Sequence, residues 1–174
     1  MTMRRRSAMF GSSTSARQRA TRWAPAVVVG VVCGVMPVAS AAPVSAPECS
    51  DRLASAMTAL PDESFAVCDD GSWRPVVPPF IPPDRWVSYG DGVLLHGQGR
   101  RNPEIMGGPW TGTPLDSSTV CGAEQASVTN AGVGAPEAVV GKAGETLPVE
   151  VGPVVFTITL TGDCLWERTD SSSS

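Results

Sequence analysis

The 174 residues contain one histidine, His96, one tyrosine, Tyr89, and only 17% charged side chains. With a single histidine, any Ser-His-Asp or Cys-His arrangement depends on His96 alone. His96 closes an apolar run before Gly97, where a strand-end histidine is the plainer reading. There is no G-x-S-x-G, so the hydrolase nucleophile elbow is excluded. There is no G-x-x-x-x-G-K-[ST] to cradle a phosphate. No C-x-x-C and no Cys/His pair stands at zinc-ligand spacing. Asp69-Asp70-Gly71-Ser72 opens like a calcium loop but lacks its other ligands and closing glutamate. No catalytic residue, no cofactor and no metal is therefore assigned. The adjacent acids Asp62-Glu63 and Asp69-Asp70 are the remaining chemistry. Glycoside hydrolysis needs two carboxyls facing each other across a cleft, which adjacency in a turn does not provide.

Acids are missing from the first 41 residues, which carry six arginines between Arg4 and Arg22. An apolar stretch follows from Ala24 to Ala42, broken at Pro37 and closed by Ala39-Ser40-Ala41. A basic region, an apolar region and an A-x-A site make residues 1–41 a secretory signal peptide, with cleavage between Ala41 and Ala42. An uncleaved membrane anchor is the alternative, because the stretch approaches the roughly 18 apolar residues that span a bilayer. That would be the chain's only membrane contact. Val32 before Cys33 excludes a lipobox, and only Ala8 and Met9 follow Arg5-Arg6 where a twin-arginine signal needs apolar residues.

Residues 42–174 hold all seventeen acids against seven basic residues, a net charge of −10. A surface of that sign argues against nucleic acid and against docking on anionic lipid. The partner expected is an extracellular or cell-envelope one of unknown identity. Four cysteines remain, Cys49, Cys68, Cys121 and Cys164, an even number that implies two disulfides in an exported chain. Three pairings are open. Cys49–Cys68 with Cys121–Cys164 is preferred, because the first pair brackets a small helical unit and the second lies in strand-rich sequence. Each closure would contribute about 3–4 kcal/mol in the chain-entropy model.

Residues 42–72 read as a short helix plus an extended segment. Ser50 is placed to cap a helix over Asp51–Leu60, with Leu53, Met57 and Leu60 on one face and Pro61 ending it. Five prolines make 73–85 a stiff, polyproline-like connector. Residues 86–168 read as a β domain. Arg85–Tyr89 and Val93–His96 flank the Gly90-Asp91-Gly92 turn as a hairpin. Further short strands are expected at 109–111, 118–121, 125–129, 137–140 and 146–151. The clearest strand follows these, at 154–161, where Val154, Phe156, Ile158 and Leu160 alternate with Val155 and three threonines, a period-two pattern. Residues 169–174 read as a flexible tail. The fold expected is mainly β, a small disulfide-stapled sandwich or partly closed barrel with one short N-terminal helix.

At Cys164-Leu165-Trp166-Glu167-Arg168 the chain resembles small exported proteins of mycobacteria and other actinobacteria that end a β module in C-x-W-x-R or C-x-W-x-K. Asp91-Gly92-Val93 and Gly107-Gly108-Pro109-Trp110 are similar in layout to turns of that group, with Trp110 in the aromatic position. The resemblance covers 86–168 and implies a secreted or cell-envelope β protein with no established activity. Taken together, the sequence points to an exported binding or structural module without catalysis; Trp86, Tyr89 and Trp110 are candidates for its contact face, with core packing the role expected of them first. The alternative is a small secreted carboxylate-dependent hydrolase.

Overall fold

A computed structural model describes residues 45–169. The chain divides into two units between Ser40 and Ala41, and the described residues all belong to the second. The signal peptide, its Ala41–Ala42 cleavage site and the serine run at 171–174 lie outside them.

The described chain is mainly β. Its strands are β1 (Met57–Ala59), β2 (Phe65–Asp69), β3 (Ser72–Val76), β4 (Arg85–Ser88), β5 (Val93–His96), β6 (Gly108–Pro114), β7 (Gly122–Thr129), β8 (Gly132–Val133), β9 (Glu137–Val140), β10 (Leu147–Val151), β11 (Val155–Thr161) and β12 (Cys164–Arg168). Seven form a curled, half-barrel sheet in the order β10-β6-β12-β4-β1-β2-β3. The smaller sheet runs β5-β11-β7-β8, with β9 also paired to β7. Neighbours are antiparallel except β1 and β4, which meet in parallel at Met57 and Trp86. Both sheets face one core. The large sheet contributes Trp86, Trp110 and Trp166, and the small one Leu95, Val155, Ile158 and Leu160. Each tryptophan buries about 150–250 Å², roughly 4–6 kcal/mol of transfer free energy at the usual coefficient.

The Glu145–Arg168 stretch serves both sheets. β10 ends the large sheet, β11 runs through the small one, and β12 lies inside the large one. After the Gly162-Asp163 turn, β12 is a strand with both faces covered. Cys164 and Trp166 enter the main core, while Leu165 enters a second cluster with Cys49, Leu53, Cys68 and Val87. Gly112 lies opposite Trp166, and a Cβ there would fall 2.7 Å from the indole. Only glycine allows that approach. Gly162, at φ +82°, makes the β11–β12 turn, and a Cβ there would collide with the Val120 carbonyl.

The disulfides join Cys49 to Cys68 and Cys121 to Cys164, with Cα separations of 5.4 and 6.0 Å. The second lies in the main core. The first pins the N-terminal segment over the outer face of the large sheet, where the Trp73 indole also donates to the Pro47 carbonyl at 2.7 Å.

Three expectations are corrected. No helix spans Asp51–Leu60. A single 3-10 turn, Asp51–Leu53, is followed by Ser55 at φ +62° and then β1. Met57 and Leu60 fit helical spacing, but a helix there would break the pairing of 57–59 with β2. Thr58 is wholly buried with its hydroxyl donating to the Val87 carbonyl at 2.8 Å. Tertiary pairing overrides the local preference. Pro61 begins the β1–β2 turn instead of ending a helix, with the turn closed by the Glu63 amide to the Leu60 carbonyl at 2.9 Å. Second, 118–121 is no strand. The Asp116 carboxylate accepts from the amides of Ser118 and Thr119 and from both hydroxyls, wrapping the chain into a turn. Third, the inward face of β11 changes phase. A β-bulge between Val155 and Thr157 lets Val155 and Ile158 both enter the core. Val154 is left half exposed, and Phe156 turns outward under the Arg100 guanidinium, 5.1 Å from its ring centre.

Of the 73–85 connector, the first residues form β3, while Val77 and Ile81 stand exposed among the prolines.

Candidate functional site

A strand at the end of a sheet has one row of peptide groups with no neighbouring strand, so the edges of this fold are its most reactive backbone. The two ends of the large sheet are blunted alike. On β3 the peptide groups of residues 73 and 75 point outward, and Pro75 has no N–H to offer. On β10 the outward residues are 148, 150 and 152, and Pro148 again removes a donor. What remains of the β10 edge is met by one side chain from β7. The Gln125 amide donates to the Glu150 carbonyl at 3.1 Å and accepts from the Gly152 amide at 3.4 Å. A glutamine amide here imitates a peptide unit of a missing strand.

β5 is different. Gly97 N–H donates to the Phe156 carbonyl, so 93, 95 and 97 face β11 while 94 and 96 face away. His96 is satisfied locally. Its amide donates to Glu104 Oε2 at 2.8 Å, and its carbonyl accepts from the amides of Glu104 and Ile105. Leu94 has neither a proline nor a side-chain substitute, and its N–H and C=O meet no partner among the described residues. Its side chain is 56% exposed.

This edge borders a cleft of about 720 Å3. Across from β5 stands the β1–β2 hairpin, with Ala59, Leu60, Pro61 and Phe65 giving an apolar wall. Phe65 is held by edge-on packing against Phe80 and Trp86, at 5.3 and 5.8 Å. Tyr89 and the Asp91-Gly92 turn close one end. The Tyr89 hydroxyl donates to the Ala59 carbonyl at 2.9 Å, tying the two walls together. Burial first, and then the nearby Asp62 carboxylate, push its phenol pKa above the ordinary value. The polar lining is Glu63, Asp91, Glu104 and His96. His96 Nδ1 lies 3.0 Å from the same Glu104 oxygen that accepts its amide, and Glu104 is largely buried. Asp62, in the hairpin turn, accepts from the Ser64 hydroxyl at 2.6 Å and its amide at 3.1 Å, which lowers its pKa. That turn is therefore held in one shape at the cleft's rim.

The sequence-derived candidates are distributed as follows. The four cysteines are structural, bonded in the two cores. Trp86 and Trp110 are buried and build the interior, whereas Tyr89, also mostly buried, lines one end of the cleft. His96 is brought to the cleft, as is Glu63 of the Asp62-Glu63 pair, whereas Asp69 pairs outside it with Arg74 at 2.9 Å. Glu167 and Arg168 are half exposed in ion pairs with Arg85 and Asp84, each at 3.1 Å. Glu104 was missed. It lies in a glycine-rich loop without periodicity, and only its place as the first acid after His96 marks it. Asp91 was read as a turn residue, which it is, but the turn overlooks the cleft. Among the described residues no three metal-ligating side chains converge.

Comparison with known proteins finds no matching family model, no matching curated protein and no matching solved structure.

Proposed function

We propose that this is an exported, extracytoplasmic binding module that takes its ligand in the cleft between β5 and the β1–β2 hairpin. The observation that carries this reading is the cleft itself. At about 720 Å3 it falls within the roughly 300–1,000 Å3 of ligand pockets, and it is an apolar trough with a few placed polar groups. Two disulfides suit an oxidising compartment, and so does the signal-peptide reading of residues 1–41. The C-x-W-x-R ending, whose cysteine and tryptophan are core residues, fits the kinship with exported actinobacterial proteins and a disulfide-stapled partly closed barrel. The contact surface in this reading is the cleft, not the tryptophans first considered for it.

A second reading, a secreted carboxylate-dependent hydrolase, draws on one feature: Glu63, Asp91 and Glu104 share the cleft with His96. Two experiments separate these readings. Intact mass of the protein from culture fluid, before and after reduction and alkylation, should show a chain beginning at Ala42 with four thiols released only by reduction. An unprocessed, membrane-held mass would contradict export. The purified protein should then show cleft resonance shifts with ligands but no turnover of chromogenic esters or glycosides. Turnover abolished by Asp91→Asn would favour the hydrolase.

A further inference from the structure

We infer that the cleft takes an extended peptide, which adds to β5 as a sixth strand of the small sheet and places a basic side chain among Glu63, Asp91 and Glu104. This rests on the cleft being the binding site and names what it binds.

Three independent features converge. The first is backbone chemistry. Leu94 turns an N–H and a C=O, both unmet among the described residues, outward from β5, the edge that borders the cleft. An unmet donor and acceptor on one residue match the paired hydrogen bonds of an antiparallel strand. The two edges of the large sheet are treated differently, with Pro75 on β3 and Pro148 plus the Gln125 amide on β10. The second is shape. With His96 already capped, Val93–Leu95 offer about 10 Å of open strand at ~3.3 Å per residue, enough to pair about three residues of a peptide. The apolar wall opposite can receive one of its two side-chain rows, which alternate in direction. The third is charge. Three carboxylates line the trough, and His96 is the only basic side chain among its lining residues. On a mature chain of net charge −10, a cationic ligand is also drawn in at long range.

β9 is the competing edge, since all four of its residues are exposed. The hollow beside it measures only about 230 Å3, too small to bury a side-chain row. Charge and an edge without a cleft give weak grip, which is why β5 is chosen.

The test uses the oxidised mature chain, Ala42 to Ser174, 15N-labelled and titrated with acetyl-Thr-Leu-Thr-Lys-Thr-amide. The expected result is a saturable shift of the Leu94 and His96 amides that weakens with added salt. Two versions of the peptide, N-methylated at alternate residues, give the sharper reading. Only one row of amides can face β5, so one version should bind about tenfold or more weakly and the other like the parent. Leu94→Pro removes the outward N–H without touching the β11 ladder and should abolish the shift of the His96 amide. Asp91→Asn, which leaves the backbone edge intact, should weaken the lysine peptide severalfold but not its norleucine counterpart.

Equal binding of both N-methylated versions would overturn strand addition. Shifts centred on Ala138 and Val140 would overturn the choice of edge. Concentration-dependent shifts at Leu94 without peptide would give the edge to a second copy of the chain and likewise overturn the inference. If small uncharged aromatic fragments shift the cleft amides and the peptides do not, the cleft remains a binding site but the peptide inference fails. If neither does, both fail.

Discussion

β10 and β5 are both terminal strands, and the fold handles them in opposite ways. β10 has a proline at an outward position and a glutamine from β7 laid across what remains. β5 has its outward His96 amide held by Glu104, and two residues earlier its outward Leu94 groups stand free beside a cleft. Closing an edge takes one well-placed amide or one proline, as β10 and β3 demonstrate. The difference shows that an open edge in this protein is a local feature of β5 and β9, and that only β5 combines it with a trough.

The largest test of this contrast removes the frame common to both edges. Trp166→Ala empties the centre of the core and should cost about 3–5 kcal/mol in urea unfolding. Gly112→Ala attacks the same contact from the other side, by overpacking, and should cost about 1–3 kcal/mol. Both should destabilise the two edges together. A variant that unfolded one sheet and left the other would break the idea of a shared core.

Gln125→Leu sharpens the comparison by unsealing β10. Two hydrogen bonds to backbone are lost, so about 0.5–1.5 kcal/mol of stability should go for each. The Gly152 amide should exchange faster, and cleft binding should stay unchanged. Leu94→Lys is the converse. At a side chain already 56% exposed, stability should change by no more than about 0.5 kcal/mol, while ligand binding in the cleft should be lost. If Leu94→Lys unfolded the protein and Gln125→Leu did not, the two edges would have been assigned the wrong way round.

The smallest effect lies far from both edges. Hydrogen bonds from the Ser118 and Thr119 hydroxyls, and then the Ser118 amide, lower the pKa of Asp116 from 3.8 to about 2. A depressed carboxylate stabilises the fold above the unfolded pKa and loses that contribution as pH falls from 3.8 through about 2. Asp116→Ala should therefore flatten the fall of Tm across that window and leave the cleft's ligand binding at neutral pH untouched. The group is solvent-facing, so the change should be slight.

How much of this was legible in the sequence depended on whether a feature is local. The β4–β5 hairpin shows because its turn, Gly90-Asp91-Gly92, and its apolar strands are adjacent. The preferred pairing of the four cysteines, Cys49–Cys68 and Cys121–Cys164, is the one observed, although the segment between the first two holds a 3-10 turn and strands in place of the helical unit that motivated it. β12 did not show as a strand, because Cys164-Leu165-Trp166 is buried on both faces and carries no alternation. The helix expected at Asp51–Leu60 failed for a related reason. Leu53, Met57 and Leu60 match a helical stripe, but Leu53 packs in the second cluster, Met57 in the main core, and Leu60 on the cleft wall. The β11 bulge slid the apolar phase by one residue at Phe156, which no periodicity of a single strand reveals. The cleft was the least legible part. Glu63, Asp91, His96 and Glu104 come from the β1–β2 turn, the β4–β5 turn, the end of β5 and the loop after it, and only sheet order brings them together.

The most direct measurement is amide hydrogen exchange, residue by residue, on the oxidised protein without ligand. The Leu94 amide should exchange within about tenfold of its unstructured rate, while Leu95, paired to β11, should exchange only through larger unfolding events. Gly152, covered by Gln125, should be slower than Leu94. Leu94 protected as well as Leu95 would mean that the β5 edge is already closed, and the cleft would lose the feature that makes it a docking site.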